Sequence, residues 1–170
     1  MDGHGQEDEL RRLLRGPNPQ EHPPGLLTMV RVVAPGTAKE VAARAAEVMR
    51  VVCHHAQPWP TVAGWTGILP RWFVESCPPE LTMEAAEKRV TWWRTLPPEE
   101  QARVERERKW PLADWLYWLE PAHRTWYWWD VRLEGPDAFT LAVAVPDTPA
   151  RGALRWLLNA SGAAVVEFDD

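Results

Sequence analysis

The chain has 170 residues, 45% of them hydrophobic and 25% charged, with a net charge of −5 at neutral pH. That composition describes one ordinary globular domain, large enough to build a core without disulfide or metal staples, and excludes a chain too polar to fold. The 19 basic residues are outnumbered by 24 acids and form no stripe, which speaks against nucleic acid as a partner.

No run approaches the roughly 20 apolar residues that span a bilayer, so no membrane partner is expected. The N-terminal MDGHGQEDELRRLLRG carries no apolar stretch of signal-peptide type, and the expected location is the cytoplasm. Cys53 and Cys77 are too few for a disulfide framework and are expected to be free thiols.

Glu7–Arg15 reads as a short helix with Leu10, Leu13 and Leu14 on one stripe at i, i+3, i+4 spacing. GPNPQEHPPG (16–25) has four prolines between two glycines and reads as an extended arm. A helix this short is not stable alone, so it must dock on its own body, dock on a partner, or fray. Leu26–Ala34 is rich in β-formers, lies between Gly25 and Pro35-Gly36, and reads as the first strand. Thr37 with Glu40 predicts a capping box that opens an amphipathic helix to about His55, with Val41, Ala45, Val48 and Val52 facing inward.

Residues 57–81 hold five prolines and two glycines and predict a loop with one helical turn near Arg71–Ser76. Thr82 caps a helix to about Thr95. Pro98 opens another over Glu99–Lys109, where Glu99/Arg103, Arg103/Glu107 and Glu105/Lys109 are spaced for ion pairs. Leu112–Leu119 is a last helical piece with Leu112, Trp115, Leu116 and Leu119 on one stripe.

The C-terminal part alternates. Tyr127, Trp129, Val131 and Leu133 are expected to face one way, and Trp126, Trp128, Asp130, Arg132 and Glu134 the other. Gly135-Pro136-Asp137 turns the chain into a strand with Phe139, Leu141, Val143 and Val145 on the buried face. Pro146 stops that strand, Thr148-Pro149 opens a helix, and Ala163–Phe168 closes the fold as a strand.

The element order is β–α, a helical insert over about 57–124, then β–β–α–β. Without the insert this is the split βαβ order of ferredoxin-like domains, an α+β fold with a four-stranded antiparallel sheet and two helices on one face. The domain is expected to run from 26 to 170, preceded by the arm of residues 1–25. Element order alone carries the comparison.

Twelve tryptophans, eight of them between Trp92 and Trp129, make the insert and the following strand the aromatic centre of the chain. The simplest role for them is core. The sharper expectation is that Trp126, Trp128 and Arg132 lie on a sheet face that helices leave open, where a partner protein or a second copy of the chain would cover them. The Leu10, Leu13 and Leu14 stripe is a second candidate surface, laid into a partner's groove.

The first functional expectation is therefore a cytoplasmic accessory, adaptor or immunity-type protein that binds another protein or itself and performs no catalysis. The alternative is a small-molecule site in which Trp110, Trp115, Trp118, Trp126 and Trp128 line a pocket between insert and sheet, with Asp114 or Arg124 orienting the ligand. A third is an enzyme using Asp114 and His123 for acid–base chemistry. Cys53-His54-His55 does not converge on one ion, because adjacent helix positions diverge by about 100°. No metal or other cofactor is expected.

Overall fold

The computed structural model describes residues 3–145 and 150–169 and has an α+β fold. Its strands are β1 (Leu26–Val33), β2 (Tyr127–Leu133), β3 (Ala138–Val145) and β4 (Val165–Phe168). They form one open sheet in the order β2-β3-β1-β4, with every neighbouring pair antiparallel. Among the described residues there are eight helices: α1 (Gly3–Arg15), α2 (Ala38–His54), α3 (Val62–Ile68), α4 (Arg71–Ser76), α5 (Met83–Arg94), α6 (Pro98–Glu107), α7 (Leu112–Leu119) and α8 (Arg151–Ala160). Pro146 as a strand stop and Thr148-Pro149 as a helix opening lie outside the described residues.

Strand pairing fixes which face is core. Val30 opposes Leu141 and Val32 opposes Phe139, and all four are fully buried under the helices. On the other face Arg31 opposes Thr140 and Met29 opposes Ala142. Helix α2 packs on the core face through Val41, Ala45, Val48, Met49 and Val52, which recur at helical spacing as the sequence predicts. Helix α8 lies beside it and adds Leu154, Leu157 and Leu158.

One irregularity reverses the expected facing of β2. Trp128 pairs with Val143, but Asp130 pairs with the next residue, Ala142, so Trp129 is an extra residue in a β-bulge. A strand alternates with period two, so a single extra residue exchanges inside and outside on one side of it. Val131 and Leu133 therefore share the core face with Trp126 and Trp128, not with Tyr127 and Trp129. Trp126 and Trp128 are each 1% exposed, which corrects the expectation that they lie on the open face.

The open face carries a small cluster of its own. Trp129 packs on Ala142 and Ala144, with Leu27 and Tyr127 beside it. Arg12 of α1 stacks over Trp129 at this corner. The insert joins the helical side instead: Phe73 and Trp115 meet with ring centroids 4.6 Å apart, and the Trp115 indole N–H donates to the Ala153 carbonyl of α8 at 3.0 Å. Trp72 reaches α2, its indole N–H 3.4 Å from a Glu47 carboxylate oxygen and its ring under Arg44.

Three local expectations are revised. Thr37 precedes α2 but its side chain caps nothing; the Ala38 N–H is taken by the Pro136 carbonyl at 3.1 Å instead. Residues 62–68 form a helix, α3, where a loop was expected, with Thr61 accepting from the Gly64 N–H. The three ion pairs anticipated on α6 are not formed, its side chains pointing into solvent along most of its length.

Candidate functional site

Helix α1 lies against α2 and the outer edge of β2, and it turns charged residues inward. Among its described side chains the buried ones are Glu9, with no exposed surface, and Arg12, 7% exposed. Leu13 is half-buried against the core, Leu10 is half-buried, and Leu14 is 59% exposed, so the leucine stripe is not the main docking face. The cause lies in β2. An edge strand presents N–H and C=O groups that no ladder satisfies, and a helix lying on them must bring polar groups. The Trp128 N–H donates to Glu9 at 2.7 Å, and the Trp128 carbonyl accepts from Arg12 Nε at 3.1 Å.

Glu9 is the centre of a buried polar cluster. Arg124 donates to its carboxylate from both terminal nitrogens, one at 2.8 Å, and the Cys53 thiol lies 3.4 Å from Glu9 Oε2. Arg124 is sandwiched between the rings of Trp126 and Tyr127, at 5.1 and 4.9 Å from their centroids. Burial opposes the guanidinium's charge, but the Glu9 carboxylate outweighs it and holds Arg124 above its ordinary range. The Cys53 thiol is pushed up to about 12, first by burial and then by the Glu9 charge.

The arm after α1 is tied back to it. Glu21 accepts from Arg11 at 2.7 Å and from Arg12 at 2.6 Å, and the Asn18 N–H adds a bond at 3.1 Å. Arg12 also stacks over Trp129, 4.7 Å from its centroid. The arm leaves α1 at Gly16, close to the Asp130 carboxylate, and ends at β1. Trp129 is only 6% exposed, with Arg12 over its ring. Beyond that corner the open face mixes charged and apolar residues: Arg31 lies 3.7 Å from Glu134, the Thr140 hydroxyl donates to Glu134 at 2.7 Å, Arg132 is exposed, and so are Met29 and Val165.

Further exposed apolar side chains stand on the insert. Helix α5 has no buried residue, and Met83 is 80%, Val90 46% and Trp92 51% exposed. A shallow hollow runs along it, lined by Glu84, Glu87, Lys88, Thr91 and Trp92. On α7, Tyr117 and Trp118 are exposed while Trp115 on the opposite side is fully buried. Tyr117 stacks on His123 with centroids 3.9 Å apart. The Ala113 N–H donates to Glu80 at 2.9 Å, placing the approach to α5 beside the start of α7.

The residues weighed for acid–base chemistry have separate partners. Asp114 pairs with Arg108 at 3.1 Å, whereas His123 Nδ1 meets the Tyr117 carbonyl at 3.1 Å and Glu120 at 3.5 Å. Among the described residues no group of three or more His, Cys, Asp or Glu side chains could hold a metal ion. No helix of the described residues is long and apolar enough to cross a membrane.

No family model, curated protein or solved structure matches the chain.

Proposed function

We propose that this is a cytoplasmic accessory protein that binds another protein and carries out no catalysis, and that α5 with the exposed side of α7 forms the binding surface. The observation that carries this reading is α5 itself. It is a helix of 12 residues without one buried side chain, yet it displays Met83, Val90 and Trp92. A helix of that length gains little stability alone, and large aromatic and thioether side chains are the types enriched in interface hot spots. The strand order further supports reading the scaffold as a ferredoxin-like split βαβ with a tryptophan-rich insert between α2 and β2.

The reading moves the anchors from Trp126 and Trp128 to Trp92, Met83, Tyr117 and Trp118. It also ranks α5 above a homodimer through the open sheet face, since Trp129 is only 6% exposed there and Arg31, Arg132 and Glu134 place charges on that face. A pocket lined by Trp110, Trp115, Trp118, Trp126 and Trp128 is less favoured, because four of these indoles are packed into the core and Trp118 is exposed.

A photo-crosslinking amino acid at position 92, compared in cells with one at exposed Lys39 on α2, tests the proposal. One discrete adduct at position 92 that Met83→Asp abolishes is the expected result. The same adducts at both positions, unaffected by Met83→Asp, would count against it. A thermal shift with a metabolite set and none with the crosslinked partner would favour the small-molecule reading.

A further inference from the structure

Every polar contact that α1 makes with the body is carried by residues before His22. Glu9 sits on Arg124, the Trp128 N–H and Cys53, while Arg12 holds the Trp128 carbonyl and covers Trp129. Glu21 folds back onto Arg11 and Arg12, so α1 and the arm as far as Glu21 form one unit. No side-chain or turn hydrogen bond involves His22, Pro23, Pro24 or Gly25, and Leu26 already belongs to β1. The unit is joined to the body by a four-residue tether, 22–25, whose two prolines keep it extended.

The seat left by this unit has unusual demands. Emptied, it would leave a guanidinium without its carboxylate and a strand edge lacking both of its partners at Trp128. An empty seat leaves a buried charge uncompensated, which is costly. Leaving the seat would also uncover Trp129 and Cys53 and free Leu13 from the core, so an empty seat is disfavoured on apolar grounds as well. An arrangement in which the seat is refilled by an identical unit preserves every one of these contacts. Only the tether changes course.

We propose that α1 and its arm exchange between two copies of the chain, each Glu9 seating on the other copy's Arg124. The product is a two-fold dimer of the domain-swapped kind, in which each copy completes the other's seat. The proposal does not rest on the α5 reading, which concerns a different surface. A tether this short gives the chain's own seat an effective concentration on the order of millimolar. The full chain is therefore a monomer at micromolar concentration and dimerises as concentration approaches that value or as the tether is shortened.

Two full-length variants test the exchange. Glu9→Arg and Arg124→Glu each place like charges in their own seat, and each alone is expected to be monomeric with a lowered Tm. Mixed in equal amounts, they are expected to form a one-to-one heterodimer by light scattering and to recover Tm, because one seat regains its native pair and the other a reversed one. Should either variant fail to fold by circular dichroism, deletion of residues 22–25 from the otherwise native chain replaces the mixture. That variant is expected to be dimeric at micromolar concentration, with Cys53 as protected from thiol reagents as in the parent chain. A mixture of folded variants that stays monomeric at the lower Tm overturns the proposal, and so does a monomeric deletion variant with Cys53 reactive.

Discussion

Glu9 and Arg124 stand 115 residues apart in the chain and form an ion pair in which the carboxylate side chain is 0% and the guanidinium side chain 5% exposed. A buried pair of this kind is worth little against a well-packed apolar replacement, but breaking it by removing one partner typically costs about 3–5 kcal/mol. Arg124→Ala is therefore expected to lower unfolding free energy by about that amount in urea titrations. Glu9→Met with Arg124→Met is expected to cost clearly less than the two single changes summed, since neither charge is then stranded. Equal and additive losses would show that the pair is not coupled.

Glu21 gives the arm a defined acid sensitivity. Partial burial works to raise its carboxyl, but the bonds from Arg11, the Asn18 N–H and Arg12 prevail and lower it from 4.5 to about 2. A carboxyl depressed in the folded state adds stability above its unfolded value, and that stability disappears as pH falls through the folded value. Acid should thus weaken the arm between roughly pH 4.5 and 2. Carbon-detected NMR titration of the Glu21 carboxyl should give a midpoint near 2, and Glu21→Gln should flatten the stability profile across that interval.

Cys53 reports on the seating of α1. With its thiol raised to about 12 and buried against Glu9, it should react with an aromatic disulfide reagent at pH 8 only when α1 opens. Glu9→Gln is expected to speed that reaction by at least tenfold with little change in far-ultraviolet circular dichroism. Equal rates in the two proteins would mean that the thiol is reached by some route other than α1 opening.

Trp128 and Trp92 should separate core from surface. Trp128→Ala removes a fully packed indole and is expected to cost about 3–5 kcal/mol in stability. Trp92→Ala, at 51% exposure on a helix with no buried side chain, should stay within about 0.5 kcal/mol of the parent. Thermal and urea unfolding of both variants decide the matter.

What local patterns can encode was legible in the sequence. The spacing of Val41, Ala45, Val48 and Val52 gave α2 its buried face, Thr82 gave α5 its cap, and the alternation from Phe139 to Val145 gave β3 its orientation. Helix α3 was hidden by Gly64 and Gly67, which lower helix propensity, although tertiary packing around Trp65 outweighs them. The docking face of α1 was misjudged because a leucine stripe ordinarily points inward, whereas the edge of β2 called for Glu9 and Arg12. Nothing near Glu9 in sequence marks it as buried; its partners Cys53, Arg124 and Trp128 become neighbours only in the folded chain. The exposure of Trp92 and Tyr117 was equally unreadable, since an indole in a helix has the same spacing whether it meets a core or water.

The bulge at Trp129 has a consequence for how this strand can vary. Before it and after it, β2 obeys opposite parity rules, and the two are reconciled by one residue with no partner of its own on β3. Loss of Trp129 itself would leave a regular strand, because Trp128 would still oppose Val143 and Asp130 would still oppose Ala142. The residue that disturbs the ladder is thus the one whose removal would straighten it, at the cost of the indole packed on Ala142 and Ala144.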